Sequence, residues 1–249
     1  MTAREAVAAA RDKVRQQHAS GFPGVQVCAH FTDDLEGVVV DLFRDALASL
    51  DATLRSRLEP ELAIVAHSGF GRREMAPYSD LDLMLLLGRK AAKEGQALVR
   101  RFSQNLYDTG MEIGFAARTP AEACQMAVQD ATVLTALSES RLIAGSQPLF
   151  EQFENRFRRQ TRRRWQALLR TAEEARREER GKYGETVFLL EPNIKRSRGG
   201  LRELQLIRWI GFVRYGESDL DAITQGGWIT KPEQRKLKAA RDFLLWLRN

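Results

Sequence analysis

Asp80 and Asp82 stand one residue apart at the start of an apolar run, in the stretch His67–Leu87 (HSGFGRREMAPYSDLDLMLLL). Residues i and i+2 of a strand point to the same face, so the spacing predicts two carboxylates side by side. Close like charges repel, and burying them unpaired is costly. A divalent cation removes that cost, and hard oxygen donors of this kind suit Mg²⁺, usually shared with substrate phosphates. The plain alternative is two solvated aspartates at a strand end, with Ser79 and Asp80 forming a turn. Two acids at this spacing are common by chance, so the surroundings have to decide.

The preceding turn changes the balance. Gly69 and Gly71 let a backbone with exposed N–H groups approach an anion closely. No Gly-Lys-Ser/Thr follows, so this is not a Walker A loop. The third glycine of a dinucleotide fingerprint is missing, and Pro77 breaks the helix that should begin there. What remains is a strand, a Ser-Gly turn, and an Asp-x-Asp on the next strand. That order aims an anion-binding turn and a cation site at one point.

The elements that must hold these residues follow from periodicity. The N-terminal stretch reads as a polar amphipathic helix, and Asp33–Leu58 carries one apolar stripe at helical spacing. Glu61–Ala66 and Leu81–Leu87 read as buried strands, Lys93–Asp108 as a helix ending at Gly110, and Met111–Ala117 as a third strand. Thr119-Pro120-Ala121-Glu122 is a capping-box helix start. Asp130 caps a helix expected to run to Gly145. Pro148–Arg180 reads as one long charged helix, followed by a glycine-rich loop to Gly200. Leu201–Tyr215 and Lys231–Leu247 close the chain as helices. The predicted class is α+β: a small mixed, mainly antiparallel sheet with helices on one side, then a helical domain. The expected organisation is an N-terminal helical extension over 1–32, a core over 33–118 and a helical part over 119–249.

Bulk composition narrows the partners. The net charge is +6 over 249 residues, which favours an anionic partner without choosing one. Two cysteines, Cys28 and Cys124, allow no disulfide framework or CxxC metal knuckle, which suits a reducing cytoplasm. No stretch has 18 consecutive apolar residues, so no membrane span is expected. The arginine run from Arg156 to Arg164 precedes four glutamates, and the pattern fits a solvated helix face better than a nucleic-acid site. His18, His30 and His67 are scattered. Only His67 adjoins the loop.

The stretches Ser68–Glu74 and Pro77–Leu83 resemble the nucleotidyltransferase motif of DNA-polymerase-beta type. They are most similar to the bacterial PII uridylyltransferase family, whose motif reads roughly GGYGRGELFPYSDIDLLLL. Leu106–Thr119 (LYDTGMEIGFAART), Asp130–Gly145 (DATVLTALSESRLIAG) and Tyr183–Gln205 (YGETVFLLEPNIKRSRGGLRELQ) resemble three further segments of that family. The last is the most specific. Three positions depart from the pattern: Ser68 and Arg73 stand where the family has glycine, and Phe115 replaces a polar residue. Arg73 is expected to narrow the cleft.

The resemblance implies UMP transfer from UTP to a tyrosine of a PII signalling protein, with release of pyrophosphate. It implies that Asp80 and Asp82 hold one or two Mg²⁺ ions. Glu112 is implied as a third carboxylate, either as a metal ligand or as the base for the tyrosine proton; its alternative is a solvated strand glutamate. Ser68 and Gly69 are implied at the β- and γ-phosphates, with Gly71, Arg72 and Ser79 in the same nucleotide-binding set. Lys195 and Arg202 flank Gly199-Gly200 at a helix start and are implied as an anion site. Family members continue into a metal-dependent phosphohydrolase and ACT domains. This stretch has no His-Asp dipeptide, so UMP removal and glutamine sensing are not expected of it. Two alternatives stay open: the same chemistry on another acceptor (glutamine synthetase or a small molecule), and a nucleotide-binding regulatory module without turnover.

Overall fold

A computed structural model describes residues 1–183, 190–191 and 193–249. Part of the Tyr183–Gln205 segment, residues 184–189 and 192, therefore lies outside the described residues.

Helix α1 (Ala3–Ala19) opens with a Thr2–Glu5 capping box. The apolar stripe expected over 33–58 belongs to two helices, α2 (Gly24–Ala48) and α3 (Ala52–Leu58). The break is chemical: Asp51 sits in an extended conformation and accepts from the Leu54 N–H, which starts a new helix. Strand β1 (Leu62–Ala66), the single turn α4 (Ser68–Gly71) and strand β2 (Leu81–Leu87) follow. The helix expected over 93–108 is split by Gly95 into α5 (Arg89–Glu94) and α6 (Gln96–Tyr107). Strand β3 (Ile113–Arg118) leads into α7 (Pro120–Gln129), whose Thr119–Glu122 capping box forms as the sequence predicts.

Asp130 caps α8 (Ala131–Leu137) as expected, but that helix does not reach Gly145. Residues Arg141–Gly145 form strand β4 instead, paired antiparallel with β1. The long helix expected from Pro148 is two helices, α9 (Gln147–Arg163) and α10 (Trp165–Tyr183), separated at Arg164. Helices α11 (Leu201–Tyr215), α12 (Leu220–Gln225) and α13 (Lys231–Arg248) complete the chain.

The four strands are ordered β3-β2-β1-β4. β1 runs antiparallel to β2 and β4, while β2 and β3 are parallel and joined over α5 and α6. Leu62, Ile64, Leu83 and Leu85 face α1, α2 and α6 through Val14, Phe31, Phe43 and Phe102. Ala63, Val65, Met84 and Leu86 face α7, α8, α9 and α11 through Ala123, Leu134, Phe153 and Phe212. Helices thus cover both faces of the sheet, not the one expected. The reason is visible in β1 and β2 themselves: continuous apolar runs without alternation belong to strands buried on both sides. Among the described residues no helix is long and apolar enough to cross a membrane.

Candidate active site

The face of the sheet toward α8 carries the site. His67 donates its backbone N–H to the Asp82 carbonyl, and Asp82 pairs with Gly114. These three residues form one row across the sheet. The next rows inward are Val65–Met84–Ala116 and Ala63–Leu86–Arg118. Asp80 lies one step outward, beside Glu112, whose carbonyl accepts from the Leu81 N–H.

Asp82 is half-buried and Asp80 exposed. Burial first, and then the neighbouring Asp80 charge, raise the Asp82 carboxyl above its ordinary pKa; a hydrogen bond from Ser68 opposes them. An acid pair kept charged against such repulsion fits a divalent cation held by two protein oxygens. Its remaining ligands would come from substrate and water. Glu112 is exposed and is not on the cavity wall. Among the described residues no three His, Cys, Asp or Glu side chains are grouped to hold a metal.

The loop between β1 and β2 is fixed by buried ion pairs. Arg72 donates through Nε to Glu74 at 2.6 Å, and its Nη1 bonds Glu139. Arg208 of α11 reaches the same Glu139 at 3.0 Å. Burial opposes the Arg72 charge, but Glu139 and Glu74 outweigh it and raise its pKa. Gly71 packs so tightly on the Glu139 carbonyl that a Cβ would overlap it, so its role is structural and it lies off the cavity wall. Ser79 accepts from the Ala76 N–H at 3.0 Å and from Arg248 Nη2 at 3.1 Å.

Ser68 and Arg73 are the two non-glycine residues with positive φ among those described, at 54° and 61°. They are also the two positions where the resemblance calls for glycine. The motif glycines thus serve backbone conformation, which side-chain chemistry alone did not reveal. Arg73 does not narrow the cleft as expected. Its side chain turns to Asp33 on α2, and it is not on the cavity wall.

A cavity of about 500 Å³ lies in front of the acid pair. Ser68, Gly69, Arg72, Ser79, Asp80 and Asp82 line it together with Lys195, Arg196, Arg202 and Arg248. The sequence-derived site residues are therefore gathered here, with Gly71 and Glu112 excepted. Burial, reinforced by Arg202, Arg248, Arg196 and Arg72, lowers Lys195 to a pKa of about 8. Arg196 and Arg202 share Glu179 of α10 at 3.4 and 3.6 Å, and Arg202 lies over the Trp209 ring at 5.3 Å. Arg118 and Glu139 lie inside the resembling stretches Leu106–Thr119 and Asp130–Gly145 but were not singled out there, and Arg248 had no sequence signal, because it acts through a contact between distant parts of the chain. The arginines from Arg156 to Arg163 lie on the exposed face of α9, behind the buried Phe153 and Phe157, and Arg164 is exposed just past its end.

Residues 151–249 match the family model described as GlnD PII-uridylyltransferase. The chain is 40% identical over 191 residues to a bifunctional uridylyltransferase/uridylyl-removing enzyme of Burkholderia thailandensis, covering 77% of this chain and 22% of that protein. It is 39% identical over 204 residues to the enzyme of the same name from Burkholderia pseudomallei, covering 82% and 23%. The chain thus spans under a quarter of the length of the curated relatives it matches.

Proposed function

We propose that this chain, a relative of the GlnD uridylyltransferases, transfers UMP from UTP to a tyrosine hydroxyl on a PII-type signalling protein. One observation carries this reading: a pair of carboxylates and the cations Lys195, Arg196, Arg202 and Arg248 line one cavity. Such a site suits a polyphosphate bound with a divalent cation. In this reading Asp80 and Asp82 hold Mg²⁺. Bound there, the ion supplies charge neutralisation on the triphosphate and acidifies the attacking hydroxyl.

The tyrosine oxygen forms the new bond to the α-phosphorus, and the bond from that phosphorus to the bridging oxygen breaks. Pyrophosphate leaves with that electron pair. Glu112, beside Asp80 at the open end, receives the tyrosine proton. The Gly69 backbone and the Ser68 hydroxyl hold the terminal phosphates. Lys195, Arg202 and Arg248 balance the charge that gathers on the leaving group, where pre-set cations are most effective. Arg72 does not bind substrate in this account; it locks the loop through Glu74 and Glu139.

Incubation with α-labelled UTP or ATP, Mg²⁺ and a PII-type protein tests the reading. Label on the PII-type protein from UTP supports it. Label from ATP, or on glutamine synthetase or a small molecule, moves the function to another acceptor or nucleotide. Nucleotide binding without transfer makes the chain a regulatory module.

A further inference from the structure

Arg118 sits at the inner end of β3, two rows inward from Asp82 on the same face of the sheet. At about 3.3 Å per residue the two levels are roughly 13 Å apart. Its Nη1 is buried and has no hydrogen-bond partner, although it belongs to the wall of the same cavity. A buried N–H group without a partner costs free energy, and such groups in folded proteins are nearly always satisfied. Glu122, the acid on the turn that follows, is already engaged in capping α7 through Thr119. Among the described residues no group hydrogen-bonds Nη1, and Glu122 acts on the guanidinium through its charge alone.

The missing partner is not a phosphate in this arrangement. The acid pair, Ser68 and Gly69 fix the phosphate end of the cavity, and Lys195 and Arg202 supply its cations. Between the Asp82 row and Arg118 the sheet presents the apolar Met84 and Ala116, and α8 adds Val133 and Leu137 to the cavity wall beside Thr132 and Thr135. Apolar walls with one donor at the far end suit a flat ring with an acceptor on its edge.

We propose that Arg118 reads the base of the nucleotide and selects uracil. This rests on the transfer reading above. A guanidinium only donates hydrogen bonds. The edge that tells the bases apart is position 4, where uracil offers the O4 carbonyl and cytosine the donating N4 amine, as adenine does at N6, so the contact assigned to Arg118 is with O4. Two donors facing each other in a desolvated pocket leave both unpaired, which is how a site rejects a close analogue.

The test is equilibrium binding of UTP, CTP and inorganic tripolyphosphate to the wild type and to Arg118→Met, with thermal melts to verify folding. The wild type is expected to prefer UTP over CTP by roughly 10- to 100-fold, the range of one good paired contact to a base. Arg118→Met should bind UTP as weakly as CTP and leave tripolyphosphate unchanged. If Arg118→Met does not fold, Arg118→Lys keeps the charge without the planar fork and should lose most of the same ratio. Equal weakening of UTP and tripolyphosphate would assign Arg118 to the phosphates and overturn the proposal. So would an unchanged UTP-to-CTP ratio in a folded variant, or a wild type that binds both alike. A wild type that binds no triphosphate better than tripolyphosphate would instead sink the transfer reading itself.

Discussion

Asp82 and Gly114 face each other across β2 and β3, so closely that a Cβ on residue 114 would overlap Asp82 Oδ1. Glycine here makes room for a carboxylate. Gly114→Ala should turn that carboxylate without unfolding the sheet. A misplacement near 1 Å is enough to cost about 100-fold in rate. Steady-state turnover beside a circular-dichroism melt checks this; wild-type turnover in Gly114→Ala would show that the Asp82 orientation is irrelevant.

Lys195 is held at a pKa of about 8 by burial and its arginine neighbours. It is charged below that pH and loses its charge above it. Triphosphate affinity should therefore fall as pH rises through about 8. Lys195→Arg stays charged across that range, so its affinity should be flat between pH 7 and 9. Nucleotide titrations at stepped pH give the answer, and parallel profiles for the two proteins would remove Lys195 from the phosphate site.

Glu139 holds Arg72 and Arg208 with a side chain that is only 1% exposed. Removing one partner from a buried pair typically costs about 3–5 kcal/mol. Arg72 keeps Glu74, so Glu139→Gln should fall near the lower end, about 3 kcal/mol. Glu94→Gln, at an exposed pair with Arg57, should cost no more than about 1 kcal/mol. Urea unfolding of both variants makes the comparison. Equal losses would mean that the buried network does not lock the motif loop.

Arg73 has φ of 61° and an exposed ion pair to Asp33. Both Arg73→Gly and Arg73→Ala lose the ion pair. Alanine keeps the left-handed strain of about 1–2 kcal/mol. Glycine relieves it at an entropic cost of about 0.5–1 kcal/mol. Arg73→Gly should thus be more stable than Arg73→Ala by about 1 kcal/mol. A melt in which alanine is the more stable would contradict the backbone explanation for the motif glycine.

Local signals were readable wherever local chemistry governs. β2 begins at Leu81 as its apolar run predicts, and the Thr119–Glu122 box forms because both partners lie within four residues. β4 was hidden because Arg-Leu-Ile-Ala-Gly is too short and too helix-compatible to declare itself; pairing with β1 overrides local preference. The acid pair and the turn before it were legible from spacing, and Lys195 and Arg202 from a motif. Arg248 was not, since its contact with Ser79 spans 169 residues of chain. Glu112 remains the residue on which sequence and geometry agree least. The resemblance implies a metal ligand or the base for the tyrosine proton, whereas Glu112 is exposed and off the cavity wall.

The most direct measurement is Mg²⁺-dependent transfer of label from UTP by Asp82→Asn. The swap keeps size and removes one charge. Burial and Asp80 raise the Asp82 pKa, so its ionised form weakens the fold above its ordinary titration range and that penalty fades as pH falls. Asp82→Asn should therefore melt no lower than the wild type at neutral pH without divalent cation. Its transfer rate should fall by at least about 100-fold, the scale of losing a group that stabilises developing charge. Wild-type turnover in a folded Asp82→Asn at equal Mg²⁺ would contradict the account.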